Sequence, residues 1–258
     1  MFKINDVNKN YGLQKVLSQI NLEIPQNKLT CIIGPNGAGK STLLNAISRL
    51  IKVDTGDILI NSKNLKDWDK KELSKTLSIM KQLNNINVRL TIADLVAFGR
   101  YPYSEDRLTE NDYQKINEAL EYTGLSSIKD KYIDELSGGQ KQRTYIAMTL
   151  AQDTEYILLD EPLNNLDIKH ILEVMHLLKK LVEEQNKTII LVVHDINIAS
   201  TFADYIVAMK NGAIIESGLT ESIIKEKVNS VETELDETGE STVFSCIFTI
   251  FYKILTDI

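Results

Sequence analysis

Three groups of residues have the types and spacing to do chemistry. Gly34-Pro35-Asn36-Gly37-Ala38-Gly39-Lys40-Ser41-Thr42 has the pattern of a phosphate-binding loop. Its glycines let the backbone curl until successive N–H groups point at one anion. Lys40 supplies a cation for β- and γ-phosphates, Ser41 a hydroxyl for Mg²⁺, and Thr42 a hydroxyl for an α-phosphate. The second group is Tyr156-Ile157-Leu158-Leu159-Asp160-Glu161, an apolar run ending in two carboxylates. Asp160 suits the water shell of Mg²⁺, and Glu161 suits a general base acting on an attacking water. Alone, such a pair would read as solvated acids closing a strand; beside a phosphate loop the catalytic reading takes precedence. The third is His194, which follows the apolar run Ile189 to Val193 and is placed for a γ-phosphate contact, with Asp195 next. His170 and His176 read as surface or packing residues.

These groups need elements to position them. Leu29 to Ile33 is a short apolar run that stops at Gly34, and helical spacing follows through Leu43, Leu44, Ile47 and Leu50. Strand, glycine loop, helix is the context a phosphate loop requires. Tyr156 to Leu159 and Thr188 to Val193 read as two further buried strands, and Ile168, Ile171, Leu172, Met175, Leu178 and Val182 fall on one helical face between them. The alternation implies a parallel sheet with helices packed on it, an α/β fold. From about Arg89 to Ala151 the patterns turn helical, around Thr91 to Phe98 and Asp112 to Tyr122, with Thr109 and Asp112 as a capping pair. This segment reads as a helical insertion. Near the end, Asn211-Gly212 between Tyr205–Met209 and Ala213–Glu216 predicts a hairpin.

Composition narrows the class. The 258 residues carry a net charge of -7, which argues against a nucleic-acid binder that relies on a broad basic surface. No stretch approaches the roughly 20 apolar residues of a membrane span, and the first residues lack the apolar core of a signal peptide. Cys31 and Cys246 are too few for a disulfide framework or a zinc site; Cys31, inside an apolar run, reads as core. The expected state is a soluble, cytosolic protein that meets a membrane only through a partner.

Leu136-Ser137-Gly138-Gly139-Gln140 completes the picture. Ser137 can cap a helix while Gly138 and Gly139 leave backbone N–H groups unobstructed at its start, giving a second phosphate receptor. With the phosphate loop about a hundred residues earlier, this sequence resembles the ATP-binding subunits of ABC transporters, over residues 1 to about 225. The resemblance implies a P-loop NTPase core with an antiparallel β subdomain and an inserted helical subdomain: residues 1–88 and 152–225 as the core and 89–151 as the insertion. It also implies that Tyr11 stacks on adenine, that Gln82 links Mg²⁺ to the helical subdomain, that Asn165-Leu166-Asp167 is the D-loop, and that His194 is the switch histidine. ATP and Mg²⁺ are the implied cofactors. The catalytic set is then Lys40, Gln82, Glu161 and His194, and the metal set Ser41, Gln82 and Asp160. Gly34 to Thr42, Ser137 to Gln140 and Asp167 hold nucleotide.

In such proteins the signature of one subunit closes over ATP on the phosphate loop of another. The resemblance therefore implies a head-to-tail dimer that opens when hydrolysis removes the γ-phosphate bridge. One ATPase module without a membrane span implies separate permease subunits, peripheral attachment at the cytoplasmic face of the membrane, and indirectly a substrate-binding protein. Leu95 to Tyr103, Leu-Val-Ala-Phe-Gly-Arg-Tyr-Pro-Tyr, resembles the ATPases of iron(III)-siderophore, haem and cobalamin importers; Tyr101 and Tyr103 are the expected exposed contacts for the permease. The alternatives are an ATPase of another importer class, a non-transport ABC ATPase, and a silent regulatory module. The last predicts damage at Lys40, Asp160, Glu161 or His194, and all four are intact. After about Lys227 the resemblance ends. An acidic stretch (Glu232, Glu234, Asp236, Glu237, Glu240) precedes an apolar one, Val243 to Tyr252. That tail, 226–258, finishes the core as a strand, docks on a partner, or reflects an altered reading frame.

Overall fold

The computed structural model describes residues 1–81, 89–104, 107–164 and 166–225. Gln82, Asn165, Cys246 and the tail from 226 lie outside the described residues. The chain divides into two compact units, Met1–Asp67 with Ile190 onward, and Trp68–Ile189. The first opens with β1 (Phe2–Tyr11), β2 (Gln14–Ile24), β3 (Leu29–Ile33), α1 (Lys40–Ile47), β4 (Thr55–Ile60) and β5 (Lys63–Asn64). The second holds α2 (Lys70–Thr76), β6 (Leu77–Met80), α3 (Ile92–Ala97), α4 (Tyr101–Ser104), α5 (Glu110–Tyr122), α6 (Gly138–Ala151), β7 (Tyr156–Asp160) and α7 (Ile168–Gln185). The chain passes back within β8 (Thr188–Val192), followed by α8 (Ile196–Phe202), β9 (Tyr205–Lys210) and β10 (Ala213–Leu219).

Two kinds of sheet in the first unit reflect two kinds of sequence. The antiparallel sheet runs β2-β1-β4-β5. In β2, buried Leu17, Ile20, Leu22 and Ile24 lie among exposed polar residues, the half-buried pattern of a sheet covered on one face. Alternation in β1 is broken by register shifts between Ile4 and Asn10 and by Asp6 at φ 46°, so its period is poor and sequence periodicity does not show it. The other sheet runs β10-β9-β3-β8 in this unit. All five residues of β3 and of β8 are buried, as in parallel strands covered on both faces. β3 and β9 are parallel, while β9 and β10 form the expected hairpin, with Asn211 at φ 49° and Gly212 at φ 79° as a primed turn demands. The helix after the glycine loop ends at Ile47, so Leu50 lies beyond it and is exposed.

In the second unit Ile92, Val96, Ile116, Ala119, Leu120, Leu125, Ala147 and Ala151 form one core where α3, α5 and α6 meet. Both α3 and α5 start at reciprocal capping boxes, Thr91 with Asp94 and Thr109 with Asp112. Beside this core β6 and β7 pair in parallel, and the N–H of Thr188, opening β8, donates to the Glu155 carbonyl at 3.0 Å. β6 and α2, too short for a periodic signal, are elements the sequence reading missed. The buried face of α7 is Val174, Met175, Leu178, Leu181 and Val182. Ile168 and Leu172, expected on that face, are exposed, because the packed stripe begins one and a half turns into the helix.

The stretch from Leu95 to Tyr103 is mainly a packing device. A β-carbon on Gly99 would lie 2.1 Å from the Met148 carbonyl oxygen of α6, so only glycine permits this approach. Arg100, 2 % exposed, donates to Asp112 and to the Ala151 carbonyl, both at 2.8 Å. Burial pushes the Asp112 carboxyl up, but hydrogen bonds from Thr109 and Arg100 outweigh it and hold it below the usual carboxylate range. Tyr103 is not the exposed contact expected of it: its ring is partly buried, with the Arg100 guanidinium 3.9 Å and the Lys75 ammonium 4.9 Å from its centroid. Phe98 and Tyr101 are exposed.

Candidate active site

The phosphate loop is built in the first unit by backbone meeting backbone. Gly34, Gly37 and Gly39 have φ of 147°, 80° and 97°. A β-carbon on Gly34 would sit 2.1 Å from the Met209 carbonyl oxygen, and one on Gly39 2.7 Å from that of Val16. Behind the loop, Gly212 of the hairpin turn donates its N–H to the Ala38 carbonyl at 3.1 Å and accepts from Ser18 N–H at 2.8 Å. The Asn-Gly turn thus braces the loop as well as joining two strands, a role no local signal announces. The Lys40 ammonium, in a side chain 5 % exposed, crosses the loop to the carbonyls of Gly34 and Pro35, at 2.8 and 2.9 Å. Helix α1 begins at Gly39 without a side-chain cap. A phosphate is the natural cap for such a terminus, and the buried ammonium and curled glycines fit one. Pro35, Asn36 and Ala38 shape the loop, and Ser41 and Thr42 open the helix.

Two more predicted residues belong to this unit. The Val193 N–H donates to the Ile32 carbonyl at 3.1 Å, so exposed His194 emerges level with the start of the loop at Gly34. Asp195 caps α8 through the N–H groups of Asn197 and Ile198. Tyr11, 51 % exposed, stands at the tip of the β1–β2 hairpin opposite Gln14, with the Lys9 ammonium 5.5 Å from its ring centroid.

In the second unit side chains do the positioning. Asp160 ends β7 buried, at 7 % exposure. Glu161 follows at φ 52°, a left-handed conformation unfavourable for glutamate and typical of constrained sites. Its Oε2 accepts a 2.6 Å hydrogen bond from the Asn164 amide. The signature opens α6: Ser137 is the cap, its Oγ accepting from Gln140 N–H at 3.3 Å while Gln140 Oε1 accepts from Ser137 N–H at 3.1 Å. The Gln140 side chain is therefore committed to the capping box. The two signature glycines differ. Gly138 is exposed, whereas Gly139 is buried, and a β-carbon there would lie 2.3 Å from the His170 ring. His170 is in turn held by Asp167, which caps α7 through the His170 N–H at 2.9 Å and meets its Nδ1 at 2.8 Å. The His170 N–H, then its ring, hold the Asp167 carboxyl below its ordinary value. Arg143 joins α6 to Glu173 of α7 at 2.5 Å. His170, expected as a surface or packing residue, packs against the second signature glycine.

The sequence profile of the family described as ABC transporter matches residues 17–164, more than half the chain. The chain belongs to the ABC transporter family. This ABC ATPase is 58 % identical over 228 residues to the petrobactin import ATP-binding protein YclP of Bacillus subtilis (strain 168), covering 88 % of this chain and 90 % of the relative. It is 43 % identical over 238 residues to the petrobactin import ATP-binding protein FatE of Bacillus anthracis, covering 92 % and 94 %. Among solved structures, the dimeric bacterial ABC transporter cassette MJ0796 superposes with a TM-score of 0.75 at 34 % identity, over 85 % of this chain and 99 % of that one. The fold is that of an ABC ATPase, mixed α/β with an antiparallel sheet and a helical subdomain. Among the described residues no helix is long and apolar enough to cross a membrane.

Proposed function

We propose that this ABC ATPase energises import of an iron(III)-siderophore, of the petrobactin kind, by hydrolysing ATP between two head-to-tail copies bound peripherally to permease subunits at the cytoplasmic face of the membrane. A substrate-binding protein delivers the cargo to the permease. The observation that carries this reading is the identity of 58 % with a petrobactin import ATP-binding protein across nearly all of both chains. Residues 89–151 act as the helical subdomain and 1–88 with 152–225 as the core.

Each residue's part follows from its chemistry. The loop N–H groups of Gly34 to Gly39 and the start of α1 hold the β- and γ-phosphates, and Lys40 turns its ammonium from loop carbonyls to phosphate oxygens. Tyr11 stacks on adenine and Thr42 contacts the α-phosphate. Ser41, Gln82 and Asp160 hold Mg²⁺, which when bound neutralises charge on the phosphate oxygens. One buried carboxylate, one hydroxyl and one amide suit a cation that keeps waters and substrate phosphates as its other ligands. Glu161 takes the proton of the attacking water, and His194 contacts the γ-phosphate. Ser137, Gly138 and Gly139 of the partner copy cover the nucleotide, with Gln140 holding the cap and Asp167 the D-loop.

The test is ATP turnover by the chain and by Glu161→Gln, with size measured with and without Mg·ATP. The variant is expected to be silent and to dimerise only with ATP. Hydrolysis by Glu161→Gln at the wild-type rate would remove Glu161 as base. Substrate is tested separately: a strain lacking the gene should lose growth on iron(III)-petrobactin as its iron source, and unimpaired growth sinks the assignment.

A further inference from the structure

We infer that Asn164 is a positioning residue for the catalytic carboxylate, fixing the orientation of Glu161 through a charge-assisted hydrogen bond. The inference rests on the reading of Glu161 as general base and deepens it.

The geometry begins with the chain turning at the end of β7. Pro162 fixes its own φ, and the Asn164 N–H closes back on the Glu161 carbonyl at 3.4 Å, making a four-residue turn. Leu163, 8 % exposed, anchors that turn on the core. The first and last side chains of the turn thereby meet, with Asn164 Nδ2 2.6 Å from Glu161 Oε2. Both residues are half-buried, so water competes for this bond less than on an open surface. A carboxylate acceptor makes the bond about twice as strong as a neutral one.

The arrangement answers a specific problem. Glutamate carries three side-chain torsions, and its backbone here sits at φ 52°, where nothing intrinsic favours one orientation of the carboxylate. An amide donor is suited to fixing it. It holds one oxygen without bringing a competing charge, and it cannot take up the proton that the base must receive. An aspartate at 164 would set acceptor against acceptor, and one of the two acids would have to be protonated.

Four variants of the full chain test this: Asn164→Ala, Asn164→Leu, Asn164→Gln and, as reference, Glu161→Gln. Asn164→Leu fills similar space without the donor, and Asn164→Gln restores a donor one methylene farther out. The readouts are kcat, KM for ATP, Mg·ATP affinity and melting temperature. We expect Asn164→Ala and Asn164→Leu to lower kcat about tenfold to a hundredfold, the size of effect that misplacing a reacting group produces. Affinity and KM should stay within about twofold, since ground-state binding is untouched. Asn164→Gln should recover part of kcat. The inference is overturned if Asn164→Leu keeps or raises kcat while Glu161→Gln is silent, an outcome that leaves the base assignment standing. A fall in kcat that merely follows a fall in folded fraction overturns it too. Wild-type hydrolysis by Glu161→Gln overturns both readings together.

Discussion

The phosphate loop and the signature are both glycine-bearing turns that lead into a helix, yet they are held in different ways. At the loop the constraint is main chain against main chain: Gly34 faces the Met209 carbonyl and Gly39 that of Val16, with the Gly212 N–H behind Ala38. At the signature the constraint is side chain: Ser137 and Gln140 cap each other, and Gly139 makes room for the His170 imidazole, itself tied to Asp167. Helix α1 starts without a side-chain cap, while α6 has a closed capping box. The difference teaches that the loop is fixed by the main chain of strands from both sheets, whereas the signature is fixed by partners that can be exchanged one residue at a time.

The contrast can be broken by substitution. Gly34→Ala should be the most damaging, by roughly 4 kcal/mol, combining left-handed strain of about 1–3 with overpacking of about 1–3. Chemical denaturation measures it, and no second-site side-chain change should rescue it, because the obstacle is a carbonyl. Next is Asp112→Ala, which strands the buried Arg100 and should cost about 3 kcal/mol. This pair also sets a pH dependence. The folded Asp112 carboxyl lies below its ordinary value, so its contribution is complete above the unfolded pKa of about 3.9 and is lost as pH falls through the lower, folded one. Acid titration of Asp112→Asn should therefore show a shallower loss of stability below about pH 4 than the parent. Gly139→Ala should cost about 2 kcal/mol by overpacking and, unlike Gly34→Ala, should be relieved in the double variant with His170→Ala. If thermal melting shows no such relief, the side-chain account of the signature is wrong. Smallest is Ser137→Ala, about 1 kcal/mol for a lost cap, seen as a modest drop in denaturant midpoint.

What could be read from sequence follows the same division. β3, β7, β8 and the Asn-Gly hairpin were legible because a buried parallel strand is a continuous apolar run and a primed turn demands residues that accept positive φ. The capping pair of α5 and the Ser137 cap of α6 were legible because a cap and the groups it meets lie within four residues; the reciprocal bond from Gln140 was not read. β1 was not, since its bulges break the alternation, and β6 was too short to show a period. The apolar start of α7 misled, because periodicity reports a face but not what lies beside it: Ile168 and Leu172 are exposed. The Phe-Gly-Arg-Tyr-Pro-Tyr segment was read as a docking loop with both tyrosines outward. Instead Gly99, Arg100 and Tyr103 lock the helical core, and Tyr101 with Phe98 remains outside.

The sequence by itself determined the family, the order of strand, loop and helix around Lys40, and the place of Asp160 and Glu161 at the end of an apolar strand. Each is written in neighbouring residues, where spacing alone dictates geometry. Only the tertiary structure decided that Asn211-Gly212 braces the phosphate loop, that the second signature glycine packs against His170, and that Arg100 pairs with Asp112. Those contacts join residues from 12 to 174 positions apart. Such pairings form when burial removes competing water, and no local pattern encodes them.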